Sequence, residues 1–220
     1  MRTCRRLCER LPGADADVVT RALGQDSRIG GKYLKGAISY GGPCFPRDNL
    51  ALIAIAQRMG VVAEVAETTD RFNRAQNRWL ADFVYQHVEI GAKVGILGFA
   101  YKAGSDVVEE SPAIYLARYL SEKGISLCGY DPVAQENARR VLGDSVEWMS
   151  SAEACIENAA VVVIPTPWPQ FKGIAPSVWQ PIARTRKVID CWRFLPELAQ
   201  LTRVQYIPLG QATMAVALPT

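Results

Sequence analysis

The sequence predicts an α/β protein in which a helical region precedes a Rossmann-like domain built on a parallel sheet. Two patterns indicate this fold class. Up to about residue 90, apolar residues recur at helical spacing, and from Ala92 onward short apolar runs alternate with amphipathic segments. The length of 220 residues suits two small domains and is too short for three. We therefore expect a helical domain over residues 1–90 and a sheet domain over residues 91–220, with the boundary near Glu89 to Ala92.

The helical region contains three predicted helices, at Ala14–Leu23, Asn49–Met59 and Val62 to about Val88. Glycine follows the first two directly, which is typical of a helix C-terminus. The second helix is apolar on nearly every side, so its surface requires a partner. We expect this partner to be a second copy of the chain in a homodimer, and packing against a neighbouring domain is the alternative.

The sheet domain is predicted from apolar runs separated by helical patterns. Ser111 and Pro112 suit the cap and first turn of one helix, and Ala134–Leu142 forms another. Strands joined through helices form a parallel sheet with right-handed crossovers, and ligands bind at the carboxyl ends of its strands. The runs predict strands at Lys93–Gly98, Ile125–Tyr130, Ala159–Pro165 and Lys187–Asp190.

Composition narrows the class of partner. The net charge is +3 and the basic residues are scattered, which disfavours a nucleic-acid surface. The six cysteines form no CxxC pair, and with His87 as the single histidine a metal site is not expected. The sequence has neither a signal-peptide pattern nor about 18 consecutive apolar residues, so we expect a cytoplasmic protein with reduced thiols, no membrane contact and a small-molecule partner.

The loop from Arg28 to Asp48 is the strongest candidate for a functional site. It contains five glycines and two prolines, a composition that lets backbone N–H groups approach a ligand. Cys44 lies just before a predicted helix, where the helix dipole and the charge of Arg47 favour a thiolate nucleophile. The alternative for Cys44 is a small buried apolar side chain. That structural role is expected for the remaining cysteines, Cys4, Cys8, Cys128, Cys155 and Cys191.

Two motifs resemble those of the UDP-glucose/GDP-mannose dehydrogenase family. The run Ser39-Tyr-Gly-Gly-Pro-Cys-Phe-Pro-Arg-Asp48, preceded by Arg28-Ile-Gly30, is similar to the family's cysteine motif, GYGGSCFPKD after RIG. The elements Ile96-Leu-Gly-Phe-Ala-Tyr-Lys102, Glu110-Ser-Pro-Ala113 and Tyr130-Asp-Pro132 resemble its UDP-binding domain. The resemblance covers nearly the whole chain, and it implies a central, dimerising domain over 1–90 and a UDP-sugar-binding domain over 91–220.

The resemblance implies an oxidoreductase of polysaccharide biosynthesis that oxidises the C6 alcohol of UDP-glucose to UDP-glucuronate with two NAD⁺. Cys44 would attack the aldehyde intermediate, and the resulting thiohemiacetal would be oxidised to a thioester that water hydrolyses. Asp48, one helical turn later, would orient or activate that water, and helix capping is its alternative role. The FAYK element favours UDP over GDP.

The resemblance also assigns residues to the nucleotide sugar. Arg28 matches an arginine that contacts substrate, often across the subunit interface, and Lys102 suits a phosphate. Without the resemblance, Arg28 and Lys35 would be interpreted as solvated charges. The full predicted set for substrate is Arg28, Tyr33, Lys35, Tyr40, Gly41, Tyr101, Lys102 and Arg193.

Several positions depart from the family pattern. Arg47 replaces a lysine and is assigned to cofactor binding, and Glu109 replaces an arginine that contacts the cofactor. Trp192 replaces a substrate-binding arginine, for which Arg193 is the expected substitute. Asp131 suits either a ribose contact or, as we prefer, an Asp-Pro turn.

The family's NAD-binding domain and its helix with a catalytic lysine and asparagine have no counterpart in this sequence, and no GxGxxG occurs. We therefore expect the chain alone to be inactive, with NAD bound elsewhere. The alternative function is a noncatalytic module that binds nucleotide sugars or assembles with a full-length relative. A stand-alone cysteine enzyme or redox protein is the least favoured, because it lacks a histidine partner and a CxxC pair.

Overall fold

The computed structural model describes residues 2–181 and 184–212. Helices come first along the chain, and a single sheet of six parallel strands follows them. This confirms the predicted α/β fold class with a helical region ahead of a Rossmann-like sheet. The long helix of the first region ends at Gln86, and the first strand begins at Val94.

The eight α-helices lie as follows: α1 (Arg2–Cys8), α2 (Ala16–Gly24), α3 (Phe45–Arg58), α4 (Glu64–Gln86), α5 (Pro112–Glu122), α6 (Gln135–Leu142), α7 (Ala152–Glu157) and α8 (Pro176–Trp179). The strands are β1 (Val94–Leu97), β2 (Leu127–Tyr130), β3 (Glu147–Trp148), β4 (Val161–Ile164), β5 (Arg186–Asp190) and β6 (Val204–Pro208). These counts refer to the described ranges.

The strand order is β3-β2-β1-β4-β5-β6. Strands are added on one side of β1 up to β3 and on its other side from β4 onward, so the strand order reverses between β1 and β4. Both of these strands are buried along their whole length, as expected for a parallel sheet covered on both faces. Ile96 packs with Leu80 of α4 and Leu116 of α5 on one face. On the other face, Val162 packs with Trp179 of α8. Ligands of such sheets bind at the carboxyl ends of the strands, where the strand order reverses. The loops after β1 and β4 therefore mark the edge of the sheet at which a binding site is expected.

The observed elements differ from the predicted ones in their ends and in their number. Helix α3 begins at Phe45, four residues before the predicted start, because Pro46 fits the first helical turn, where no intrahelical N–H bond is needed. Strands β3 and β6 were not predicted. Strand β3 has only two residues, and β6 is not a continuous apolar run, because Gln205 within it is exposed.

The apolar surface of α3 remains largely uncovered within one chain. Of its residues, all of them described, only Pro46 is buried, whereas Leu52, Ile55 and the C-cap residue Met59 that follows the helix are more than half exposed. Helix α3 packs on one side against α4, where the Asn49 side chain donates to the carbonyl of Ala66 at 2.8 Å. This face is the surface for which the sequence predicts a partner.

The first two helices dock onto the end of the last strand. The Gly210 N–H donates to the Glu9 carboxylate at 2.9 Å, and the Gly210 carbonyl accepts from Ala16 N–H at 2.9 Å. Arg5, which is fully buried, pairs with Glu9 and lies 4.1 Å above the ring of Trp79 in α4. These contacts fix the helical region against the sheet domain.

Residues 2–181 and 184–212 lack two features. No helix there combines the length and the apolar character needed to cross a membrane. The same ranges contain no group of three or more His, Cys, Asp or Glu side chains placed to hold a metal ion.

Candidate functional site

Cys44 lies at the N-terminus of α3, as predicted. It is the N-cap residue, and its side chain is exposed to solvent. The Asp48 N–H donates to the Cys44 carbonyl at 2.8 Å, so Asp48 lies one turn further along the helix. The exposed side chains of Asp48 and Arg47 approach each other at 3.4 Å. Cys44 therefore has the two properties a nucleophile needs here, access to solvent and proximity to unpaired helix N–H groups.

The other five cysteines are less accessible. Cys8, Cys128, Cys155 and Cys191 are buried, and Cys4 is partly buried. Complete burial raises the pKa of the Cys191 thiol. Exposure thus distinguishes Cys44 from the other five thiols, and its reactivity stays a prediction.

The segment before Cys44 is held on α4 by two amide side chains. Asn73 accepts from Tyr40 N–H and donates to the Tyr40 carbonyl, both at 2.9 Å. Asn77, one turn later, accepts from the hydroxyl of Ser39. The Tyr40 ring packs edge-on against Phe45, with centroids 4.7 Å apart.

The same loop contacts the sheet domain through two glycines. The Gly42 N–H donates to the Glu109 carbonyl at 2.9 Å. A Cβ on Gly42 would lie 2.7 Å from the Tyr101 ring, and one on Gly41 would lie 2.2 Å from the Glu110 carbonyl oxygen. Neither position has room for a side chain, and Gly42 has a φ of +91° that favours glycine. Tyr101 therefore lies against the backbone two residues from Cys44.

Tyr101 and Lys102 belong to the loop that follows β1, at the expected site edge. Lys102 is exposed, with its ammonium 5.3 Å from the Tyr101 ring centroid. Ser111 closes this loop, since its hydroxyl donates to the Phe99 carbonyl at 2.7 Å and accepts from Ala113 N–H at the start of α5. A cleft of about 360 Å³ lies between the two domains, lined by Gly42, Pro43, Pro46, Arg47, Leu50, Glu109 and Glu110.

Three of the predicted substrate residues lie on the segment from 28 to 35. Lys35 lines a second cleft, of about 570 Å³, which it shares with Asp17, Arg21 and Lys32. Tyr33 is 96% exposed, and Arg28 extends into solvent, where it pairs with Asp26 at 2.6 Å. No contact recorded for these three side chains joins them to Cys44 within the described ranges.

Arg193 is buried between the domains. Its guanidinium donates to both carboxylate oxygens of Asp17 at 2.8 Å, to the Gly36 carbonyl at 3.0 Å and to the Leu209 carbonyl. Hydrogen bonds from Arg193 lower the pKa of Asp17. The structure thus gives Arg193 a connecting role next to Lys35, and its predicted contact with substrate stays a prediction.

Asp131 bears on whether this sheet could hold a dinucleotide. One carboxylate oxygen accepts from Phe99 N–H, Ala100 N–H and the Trp168 indole, and the other accepts from Val133 and Ala134 N–H. These donors leave the carboxylate little capacity for a ribose. The long loop 98–111 also separates β1 from α5, so the short glycine turn of a dinucleotide site is replaced. Within the described chain, the residues after β1 and β2 therefore do not fit NAD.

Trp192 and Glu109 differ from the expected pattern in distinct ways. The Trp192 indole donates to the Pro165 carbonyl at 2.7 Å, so this side chain packs at the carboxyl end of β4. Glu109 borders the cleft beside the Cys44 loop.

Asn73 and Asn77 are not among the site residues predicted from the sequence, although both hold the loop before Cys44. The sequence does carry a signal for them, because two amides four residues apart fall on one face of a long helix that also carries apolar residues such as Leu80 and Val84. A polar side chain on a buried face requires hydrogen-bond partners, and here the loop before Cys44 provides them.

Two family models match the chain in consecutive segments. The UDP-glucose/GDP-mannose dehydrogenase family, central domain, matches residues 1–75. The UDP binding domain of the same family matches residues 95–197.

Individual relatives agree with these matches. A UDP-glucose 6-dehydrogenase of Bacillus subtilis is 31% identical over 210 residues, covering 93% of this chain and 47% of the relative. A UDP-glucose 6-dehydrogenase of Rhizobium meliloti is 36% identical over 172 residues, covering 76% of this chain and 39% of the relative. A solved UDP-glucose dehydrogenase of Pyrobaculum islandicum superposes with a TM-score of 0.82 at 31% identity, covering 96% of this chain and 47% of that one. The chain spans about half the length of the relatives it matches, or less.

Proposed function

The chain belongs to the UDP-glucose/GDP-mannose dehydrogenase family, and we propose that it forms the nucleotide-sugar half of an NAD-dependent enzyme that oxidises UDP-glucose to UDP-glucuronate. One observation carries this proposal. Gly42 packs on Tyr101, so the Cys44 loop of the central domain lies beside Tyr101 and Lys102 of the UDP-binding domain. A sugar nucleotide bound at Lys102 would then have its sugar close to a thiol.

In this proposal the phosphates bind through Lys102, since its ammonium group favours phosphate oxygens, and Lys35 belongs to the loop that binds the sugar. Tyr101 and Tyr40 border the sugar, and Gly41 contributes its backbone. Tyr33 and Arg28 are exposed within one chain and act on substrate when a second copy is present. Arg193 contributes by fixing Gly36, next to Lys35.

The proposed chemistry begins with addition of the Cys44 thiolate to the C6 aldehyde. A carbon–sulfur bond forms, the carbonyl electron pair moves to oxygen, and that oxygen takes up a proton. Once the adduct has been oxidised to a thioester, Asp48 accepts a proton from the water that hydrolyses it. Covalent capture keeps the aldehyde from escaping between the two oxidations.

NAD is the cofactor that family membership suggests, and when bound it would accept the hydrides. The described residues after β1 and β2 do not fit it, and the assignment of Arg47 to the cofactor stays a prediction. We propose that this 220-residue chain by itself binds the nucleotide sugar without reducing NAD⁺. The cytoplasmic location also stays a prediction.

We further propose that the chain is a homodimer that buries the exposed face of α3. The supporting observation is that Leu52 and Ile55 of this helix, and Met59 at its C-cap, are more than half exposed. Apolar side chains clustered in this way mark association surfaces. A dimer of this kind would bring the Arg28 segment of one copy near the other.

A noncatalytic nucleotide-sugar-binding module is the second candidate, and Glu109 favours it. This residue lines the cleft beside the Cys44 loop, where a carboxylate repels a phosphate. The module would retain Lys102 and the dimer while performing no oxidation.

Calorimetric titration with UDP-glucose and GDP-mannose tests the proposal. We expect UDP-glucose to bind more tightly and Lys102→Ala to weaken it by about tenfold, the effect of removing a charge-assisted contact. Lys123→Ala, at the C-terminus of α5, is the matched control and should bind as the parent does. Preference for GDP-mannose would contradict the substrate assignment. NADH absorbance formed by the chain alone would contradict its proposed inactivity.

A further inference from the structure

Asn73 makes an unusual pair of hydrogen bonds in the middle of α4. It is 7% exposed, and its amide both accepts from and donates to the backbone of Tyr40, at 2.9 Å each. The partners fix the orientation of the amide, because a backbone N–H needs an oxygen and a backbone carbonyl needs an N–H. The side chain thus pairs with Tyr40 as a neighbouring strand would.

This pairing requires an amide. Aspartate of the same size would accept from the Tyr40 N–H but would direct a second acceptor at the Tyr40 carbonyl. Leucine would leave both backbone groups without their partner, and buried polar groups rarely remain unpaired.

The two hydrogen bonds between Asn73 and Tyr40, called the clamp below, are linked to Cys44 through few contacts. The Tyr40 ring meets Phe45 edge-on, and Phe45 is the first residue of the helix that Cys44 caps. On the opposite side, Gly41 and Gly42 are pressed against the sheet domain. Residues 40–45 therefore contact both domains, and Asn73 binds Tyr40 directly from the helical domain.

We propose that Asn73 is a positioning residue whose paired hydrogen bonds to Tyr40 hold Cys44 at the N-terminus of α3 in its reactive placement. The proposal rests on the proposed function, in which Cys44 is the nucleophile. Asn73 acts through Tyr40 and has no role in bond formation itself. Asn77 supports the same segment one residue earlier through Ser39.

The test measures the alkylation rate of each cysteine by iodoacetamide at pH 7.5, followed by peptide mass spectrometry. We expect Asn73→Asp to slow Cys44 by about threefold, since the thiol loses its fixed place at the helix terminus. Asn158→Asp is the matched control, because it removes an exposed amide that donates to the Ala154 carbonyl at 2.8 Å on α7. The control should leave the Cys44 rate unchanged.

The remaining cysteines separate a local effect from a global one. Global destabilisation would accelerate the buried thiols Cys8 and Cys128, whereas loss of positioning changes Cys44 alone. An unchanged Cys44 rate in Asn73→Asp, or a change seen only together with faster labelling of buried thiols, would overturn the proposal. If Cys44 of the parent chain reacts no faster than Cys4, the nucleophile assignment fails instead.

Hydrogen exchange on the parent chain covers the case in which Asn73→Asp does not fold. We expect the Tyr40 amide, which donates to Asn73, to exchange at least about tenfold more slowly than the amide of exposed Tyr33. Equal exchange at the two positions would show that the clamp is not maintained in solution and would overturn the proposal.

Discussion

Asp17 of α2 and Arg193, in the segment that follows β5, form a bidentate ion pair. Each of its two N···O distances is 2.8 Å. The Arg193 side chain is 3% exposed and that of Asp17 is 29% exposed. The pair therefore joins the two domains at a site largely removed from water.

Asp17→Asn should lower the free energy of unfolding by about 2 to 3 kcal/mol, because it leaves the buried guanidinium without its countercharge. Urea denaturation measures this value. Glu136→Gln removes one member of an exposed 3.6 Å pair with Arg140 and should cost less than about 0.5 kcal/mol. Equal losses in the two variants would contradict a structural role for the Asp17 pair.

The same pair predicts sensitivity to acid. Because hydrogen bonds from Arg193 lower the pKa of Asp17 below its ordinary 3.8, its stabilisation is complete above that value and is lost as pH falls through the lower folded pKa. Burial raises the pKa of Glu9, so protonation of Glu9 offsets part of this loss. Stability curves from pH 5 to pH 2 should fall less steeply for Asp17→Asn than for the parent, and parallel curves would contradict the prediction.

Gly42→Ala should separate the Cys44 loop from the sheet domain. Its Cβ would clash with the Tyr101 ring, and its φ of +91° adds strain, for a combined cost of about 2 to 4 kcal/mol. Gly60→Ala is the matched control, because Gly60 has a φ of +69° but nothing within 4 Å, so it should cost about 1 kcal/mol. Urea unfolding and UDP-glucose titration would be compared, with weaker binding expected only for Gly42→Ala.

Ile55→Lys should dissociate the proposed dimer. A lysine in an apolar interface is left without a partner, so we expect dissociation at least about tenfold more favourable, measured by analytical ultracentrifugation. Val133→Lys changes an equally exposed apolar residue next to the Asp131 turn and should leave the mass unchanged. A monomeric parent, or a dimer that persists in Ile55→Lys, would refute the α3 interface.

The sequence reveals local features of this fold well. Cys44 was placed at a helix N-terminus because glycine, proline and the following apolar run determine that geometry within a few residues. The central strands were found because a buried parallel strand is a continuous apolar run. Strand β6 was missed since Gln205 is exposed and interrupts such a run.

Contacts between distant segments could not be predicted in the same way. The close contact between Gly42 and the Tyr101 ring depends on how the two domains pack. No spacing in the sequence encodes the distance between these two residues. Arg193 was predicted to replace a missing substrate arginine, but a motif position does not reveal that Asp17 takes up its donors. The two amides of α4 indicate a need for hydrogen-bond partners, but that Tyr40 is the partner of Asn73 depends on tertiary packing.

The docking of the first helices on Gly210 has a kinetic consequence. Glu9 and Gly210 are separated by 201 positions, and Asp17 and Arg193 by 176. Contacts with such long sequence separation form late, because closing a long loop costs chain entropy before any bond rewards it. During synthesis, α1 and α2 therefore lack these contacts with the sheet until β6 has left the ribosome, and the helical region reaches its final packing only after the sheet is complete.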